Sequence, residues 1–185
     1  MRYLQTFFLL IALMAPVWAA PVTDEAAAEK LLARARAILS GVGLTVPRQI
    51  LLKLRTRDEL MVENNSSGGR AIEANGFYRA YNPESIWIVS GLSEEETIGV
   101  LAHELTHAWQ STEAPLQDRK LTEGFARWAE YKVFMAIGAS GEAQTLRRSP
   151  DPDYGGGLRY LLDLEQRRGA AAVVEFARTQ TRIPD

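Results

Sequence analysis

The two histidines of the chain, His103 and His107, stand four residues apart with Glu104 directly after the first. On a helix, residues i and i+4 share one face, so both imidazoles project together. That spacing suits two ligands of one tetrahedral Zn²⁺, each at about 2.0–2.1 Å. Glu104 then points beside the metal, where a carboxylate takes a proton from water and later passes it to a leaving amine. The pattern His-Glu-x-x-His on a helix is thus a candidate centre for metal-assisted hydrolysis. The competing interpretation is two histidines merely packed or solvated on a helix.

Catalytic zinc wants a third protein ligand and an open position. There is no third histidine, which excludes a three-histidine centre. Glu113 occupies the place where such a pattern puts its last ligand, but the pattern needs glycine at a sharp turn, and this chain has Gln110 there. Glu123 is the better candidate: it lies sixteen residues after His107, past a loop containing Pro115, near the start of a helix that can fold back antiparallel. Against it stands the recurrence of Glu123, Arg127 and Glu130 at i, i+4 and i+7, which is also how a solvated stripe looks. Thr106 and Glu130 are candidates to hold the histidines from behind. Trp87, Trp109 and Trp128 suit a core or a cleft wall better than chemistry.

Elements that can place these groups are legible around them. Ser93 and Glu96 form a capping box ahead of an apolar stripe of Ile98, Leu101, Leu105, Ala108 and Trp109, predicting a helix to about Gln110. A second helix is expected from about Lys120 to Ile137, closed by Gly138. Upstream, a helix is expected over 24–40, and strands over 50–54, 74–81 and 86–89, with a polar loop at 63–69. The strand 86–89, just before the metal helix, is expected to be a sheet edge on which an extended peptide can pair. Residues 151–157 read as a turn-rich linker, followed by helices over 158–168 and 170–179 split by Gly169. The order predicts an α+β domain, a small mixed sheet packed on the metal helix followed by a helical C-terminal part.

The 185 residues do not all belong to that domain. Arg2, the apolar stretch Leu4 to Met14 and the small residues around Ala19 read as a signal peptide over 1–19, leaving a single domain over 20–185. Without cysteine there is neither a disulfide nor a lipoprotein anchor, so an exported domain relies on its core. The expectation is a bacterial periplasmic or secreted protein, a monomer with no membrane anchor. A net charge of −2 with no basic run gives no sign of nucleic-acid binding.

Three segments in order, His103-Glu-Leu-Thr-His-Ala-Trp109, Leu121-Thr-Glu-Gly-Phe-Ala126 and Tyr154-Gly-Gly-Gly-Leu-Arg159, carry a resemblance. They resemble the gluzincin arrangement of zincin-like peptidases and, more narrowly, the peptidase domain of plant growth-regulating LIM-type peptidases and their small bacterial relatives. The likeness covers roughly residues 72 to 165. Thr122 stands where that family has a first Glu, and Leu158 where it has an aromatic residue. The resemblance implies Glu123 as third ligand of one Zn²⁺, peptide or protein as substrate, and Glu104 as general base. Tyr154 and Arg159 are candidates for stabilising the oxyanion, or else for anchoring a loop and pairing with a carboxylate. The alternative function is a non-catalytic zinc-binding domain of the cell envelope, which would tend to lose Glu104 while keeping the ligands.

Overall fold

The computed structural model describes residues 20–46, 48–66, 75–81 and 83–184, and for residues 64–66 the backbone alone. The expected signal peptide lies outside the described residues. The chain opens on α1 (Glu25–Gly41), followed by β1 (Leu51–Arg55), α2 (Arg57–Ser66), β2 (Gly76–Arg79) and β3 (Ser85–Val89). Then come α3 (Glu94–Glu113), α4 (Arg119–Ile137), α5 (Ser140–Arg148), one π-helical turn (Pro152–Gly156), α6 (Gly157–Arg168) and α7 (Ala170–Thr179). This is the expected α+β class, helix-rich with a small mixed sheet. Among the described residues, no helix is long and apolar enough to cross a membrane.

The sheet has three strands in the order β1-β3-β2, with β1 parallel and β2 antiparallel to β3. That order corrects one expectation. The strand 86–89 is central, pairing Ile86 with Leu52 on one side and Trp87 with Phe77 on the other, so its main chain is already satisfied. Among the described residues the free edges belong to β1 and β2, and β2 is the one that runs against α3. Gly76 permits this approach, since a Cβ there would fall 2.6 Å from Val100 Cγ1. Trp87 lies on the sheet face away from α3, stacked on Phe77 at 5.8 Å and flanked by the guanidinium groups of Arg55 and Arg79.

The core is organised by α3 and α4. The α3 capping box forms: Ser93 Oγ accepts from the Glu96 amide at 3.2 Å, and Glu96 accepts from the Ser93 amide at 2.9 Å. Its apolar side, Ile98, Leu101, Leu105, Ala108 and Trp109, is fully buried against α1, the sheet and α4. In α4 the N-cap Asp118 accepts from the Leu121 amide at 2.8 Å, and Gly138 ends the helix at φ +83°, a conformation a side chain resists. Trp109, Phe125 and Trp128 pack ring on ring between the two helices, with centroids 5.4 and 5.6 Å apart. Burying side chains of this size contributes about 1.5–3 kcal/mol each, which fixes the relative placement of the helices.

Several boundaries differ from expectation. α3 continues three residues past Gln110, so the loop to α4 is short. α2 fills 57–66, where the expected polar loop began at 63; residues 67–74 lie outside the description. α5 was not anticipated, and the expected linker at 151–157 is wound into the π-helical turn.

Candidate metal centre

His103 and His107 lie on the same face of α3, with ring centroids 4.8 Å apart and planes at 80°. Glu123, in the second turn of α4, faces them across the helix pair. One Glu123 oxygen lies 3.3 Å from His103 Nε2 and 3.6 Å from His107 Nε2, and the donor atoms of all three residues fall within 4.8 Å of one another. Two ligands of a tetrahedral ion at zinc–ligand lengths stand about 3.4 Å apart, so both measured separations fit a shared metal. The donor set of two imidazoles and one carboxylate also matches a catalytic zinc site. These side chains retain 12%, 20% and 19% exposure, shielded yet reachable from solvent. Glu113, the other acidic candidate, pairs instead with Arg178 of α7 and lies away from the cluster.

Both histidines present Nε2 to the centre because each Nδ1 is occupied from behind. Glu130, only 5% exposed, accepts from His103 Nδ1 at 3.3 Å, and Arg127 donates to the same Glu130 oxygen at 2.7 Å. Gln110 accepts from His107 Nδ1 at 2.9 Å. The structure therefore gives Glu130 the supporting position expected of it. It does not give one to Thr106, whose hydroxyl is buried and donates to the Ala102 carbonyl at 2.8 Å.

The electrostatics follow from this packing. Burial disfavours the charged His103 imidazolium, but the carboxylates of Glu123 and Glu130 outweigh it and raise its pKa to about 9. Burial likewise disfavours the Glu123 carboxylate, yet hydrogen bonds from the two histidines hold it well below the usual carboxylate range. Without a metal the cluster is thus an ion pair. Glu104 is 6% exposed; burial pushes its carboxyl up, while His103 and His107 pull it back. A carboxylate so placed is a stronger proton acceptor than an exposed one.

Tyr154 comes to the same place. Its ring lies over His103 at 6.3 Å and 18°, and the guanidinium groups of Arg127 and Arg119 stand 5.1 and 5.7 Å from its centroid. Asp151 starts the π-helical turn by accepting from the amides of Asp153 and Tyr154 at 2.8 and 2.9 Å. The turn then rests directly on α4: Cβ atoms on Gly124 and Gly157 would fall 2.6 and 2.7 Å from the opposite glycine's Cα. Burial and Glu123 push the Tyr154 phenol up, so it keeps its proton at neutral pH. Arg159 is not brought to the cluster. Its exposed side chain donates to the carbonyls of Arg147 and Ser149 at 3.1 and 2.7 Å, tying α6 to the end of α5. It serves a loop-anchoring role, because those carbonyls lack helical partners.

Sequence reasoning missed Gln110, Arg119 and Arg127 as neighbours of the centre. Gln110 had a signal: it stands three residues after His107, within reach on the same helix face. The arginines had one too, standing four residues either side of Glu123 on the same helix face; their contact with Tyr154 had none, since it needs the return of residue 154 over α4.

No curated protein and no solved structure matches the chain. The model of a family described as BSP, peptidase of plants and bacteria, matches residues 73–177, a span that holds α3, α4 and the Tyr154 turn. That match spans more than half of the chain and takes in the cluster of His103, His107 and Glu123, with Glu104 next to the first of them in sequence, so the chain belongs to that peptidase family.

Proposed function

We propose that the chain is a zinc-dependent peptidase of gluzincin type with a zincin-like fold, exported from a bacterial cytoplasm by its residues 1–19. The observation that carries the reading is the convergence of donor atoms of His103, His107 and Glu123 to within 4.8 Å of one another, with the Glu123 oxygen 3.3 and 3.6 Å from the two Nε2 atoms. A zinc ion held there supplies Lewis acidity, polarising a substrate carbonyl and lowering the pKa of water. Glu104 accepts the proton of the attacking water, then donates it to the amine that leaves. Tyr154, protonated and over His103, is the donor for negative charge developing on the carbonyl oxygen. Arg127 and Arg119 hold that ring in place by their contact with its face. The outer edge of β2, beside α3, is the place where an extended peptide gains main-chain hydrogen bonds.

Metal analysis and turnover test this together. The protein from Ala20 onward binds about one zinc per chain, lost on Glu123→Gln or His103→Ala. Glu104→Gln keeps the zinc and lowers peptide cleavage by about 10²–10⁴-fold. A wild type that holds zinc and cleaves no member of a broad peptide library would leave a zinc-binding domain without turnover. One that holds no zinc sinks the proposal.

A further inference from the structure

The two histidines are supported differently. His103 has a carboxylate behind it; His107 has the neutral amide of Gln110, and that amide does not end the chain of hydrogen bonds. Gln110 Nε2 donates to the Thr122 carbonyl at 3.1 Å and to Gln117 Oε1 at 3.0 Å. Gln117 Nε2 donates in turn to the carbonyls of Ala177 and Gln180, at 2.6 and 3.3 Å, at the end of α7. Backbone carbonyls only accept, so the direction of every bond in the series is fixed from that end. Flipping the Gln110 amide would set its oxygen against the Thr122 carbonyl, two acceptors with no proton between them. The Gln110 oxygen must therefore face His107, and His107 Nδ1 must carry the proton.

We infer that Gln110 and Gln117 form a polar relay that anchors His107 to the last turn of α7 and locks the tautomer leaving Nε2 free for a metal. Both are positioning residues. The relay also spans the two ligand-bearing helices, because its Thr122 acceptor adjoins Glu123. Gln110 is 9% exposed, so its bonds are shielded from competing water. The loop between α3 and α4 is docked on the same C-terminal stretch: the Asp118 amide donates to the Thr181 carbonyl at 2.8 Å, and Arg178 pairs with Glu113. Residues 177–181 thereby reach the metal centre without touching it.

The inference rests on the cluster being a metal site, but its first readout needs no metal. In the metal-free Glu123→Ala variant at alkaline pH, where no carboxylate faces Nε2, long-range ¹H–¹⁵N correlation spectra of the His107 ring report which nitrogen is protonated. With Gln110 in place the ring shows Nδ1–H. Gln110→Met, similar in length and without an acceptor, reverts toward the Nε2–H form favoured by free imidazole. Gln110→Glu keeps an acceptor for Nδ1 but sets its other oxygen against the Thr122 carbonyl, so it retains the tautomer while losing the anchor. Zinc affinity, measured by competition with a chromophoric chelator, falls about 10–100-fold in Gln110→Met and less in Gln117→Met. The thermal shift added by zinc shrinks with it, which a purely structural loss would leave unchanged. Wild-type tautomer populations and a zinc affinity within threefold of wild type in Gln110→Met overturn the relay. Should that variant not fold, unchanged zinc affinity in Gln117→Met does so instead. A wild type that binds no zinc, together with Nδ1–H in the Glu123→Ala ring, refutes the metal reading and leaves the relay standing.

Discussion

The α3–α4 pair and the 149–157 segment both deliver a side chain to one site, by different physics. The helix pair does it with side chains: capped N-termini, a buried apolar stripe on each helix, and ligands at fixed periods on the faces that remain. The segment does it by their absence. Gly157 lies on Gly124 with no room for a Cβ, and that approach helps bring Tyr154 over His103. Ligand geometry is therefore tied to the core, whereas the tyrosine rests on a close backbone contact and on the two arginines against its face. Perturbing the two should separate stability from chemistry.

The larger effect on folding is expected in the helix pair. Leu105 lies between the two histidines in sequence, points to the opposite side of α3 and is fully buried. Leu105→Ala removes packed methyl groups and leaves a cavity, at a cost of about 2–5 kcal/mol in denaturant unfolding. Zinc stoichiometry of the molecules that remain folded stays near one, since His103, His107 and Glu123 keep their elements. A folded variant that has lost its zinc would show that ligand geometry is not held by the pair as a unit.

Gly157→Ala should do the reverse. The added methyl meets backbone, the Gly124 Cα and the Lys120 carbonyl, which cannot swing aside as a side chain would. Overpacking of this kind costs about 1–3 kcal/mol. The turn lifts from α4 and Tyr154 leaves His103, so kcat drops by about 10²-fold with zinc retained, as for loss of one oxyanion donor. In a Tyr154→Phe background the same change should add little further loss of kcat. Full additivity of the two losses would mean that the turn acts through something other than the phenol.

The same contrast accounts for what the sequence made legible. The HExxH helix, its capping box and α4 rest on short-range periodicity, whereas Glu123 was favoured by the spacing of two helices, with a solvated stripe still open, and named as a ligand by the resemblance. α2 and α5 bury little, with Leu60 and Ala143 facing inward, so no apolar stripe marked them. α2 nonetheless had a signal that was passed over: Thr56 and Glu59 form a capping box, with bonds of 2.9 and 3.3 Å. The central position of β3 and the hold of Arg159 on α5 are long-range pairings that no local pattern specifies. Gln110 read as a glycine missing from another pattern, and its role depends on partners at 117, 122 and 177.

The smallest effect expected is electrostatic, confined to the helix pair and absent from the turn. In the metal-free chain His103 titrates at about 9, above its unfolded value, so its contribution to stability is fully present below about 6.5 and disappears as pH rises through 9. Glu123 is shifted the other way, so its contribution is present above the ordinary carboxylate range and is lost as pH falls through its folded value. Zinc binding runs against the first of these trends. At neutral pH the ion must displace the His103 proton, so its affinity rises by about tenfold per pH unit and flattens above about pH 9. Thermal melts with and without zinc should accordingly draw apart between pH 6.5 and 9, the metal-free Tm falling while the gain from zinc grows. Glu130→Gln removes one of the three carboxylates that raise His103, so the flattening should move to lower pH in that variant. A flattening point that stays near 9 would assign the shift to Glu123 and Glu104 and leave Glu130 as a purely geometric support for the ring.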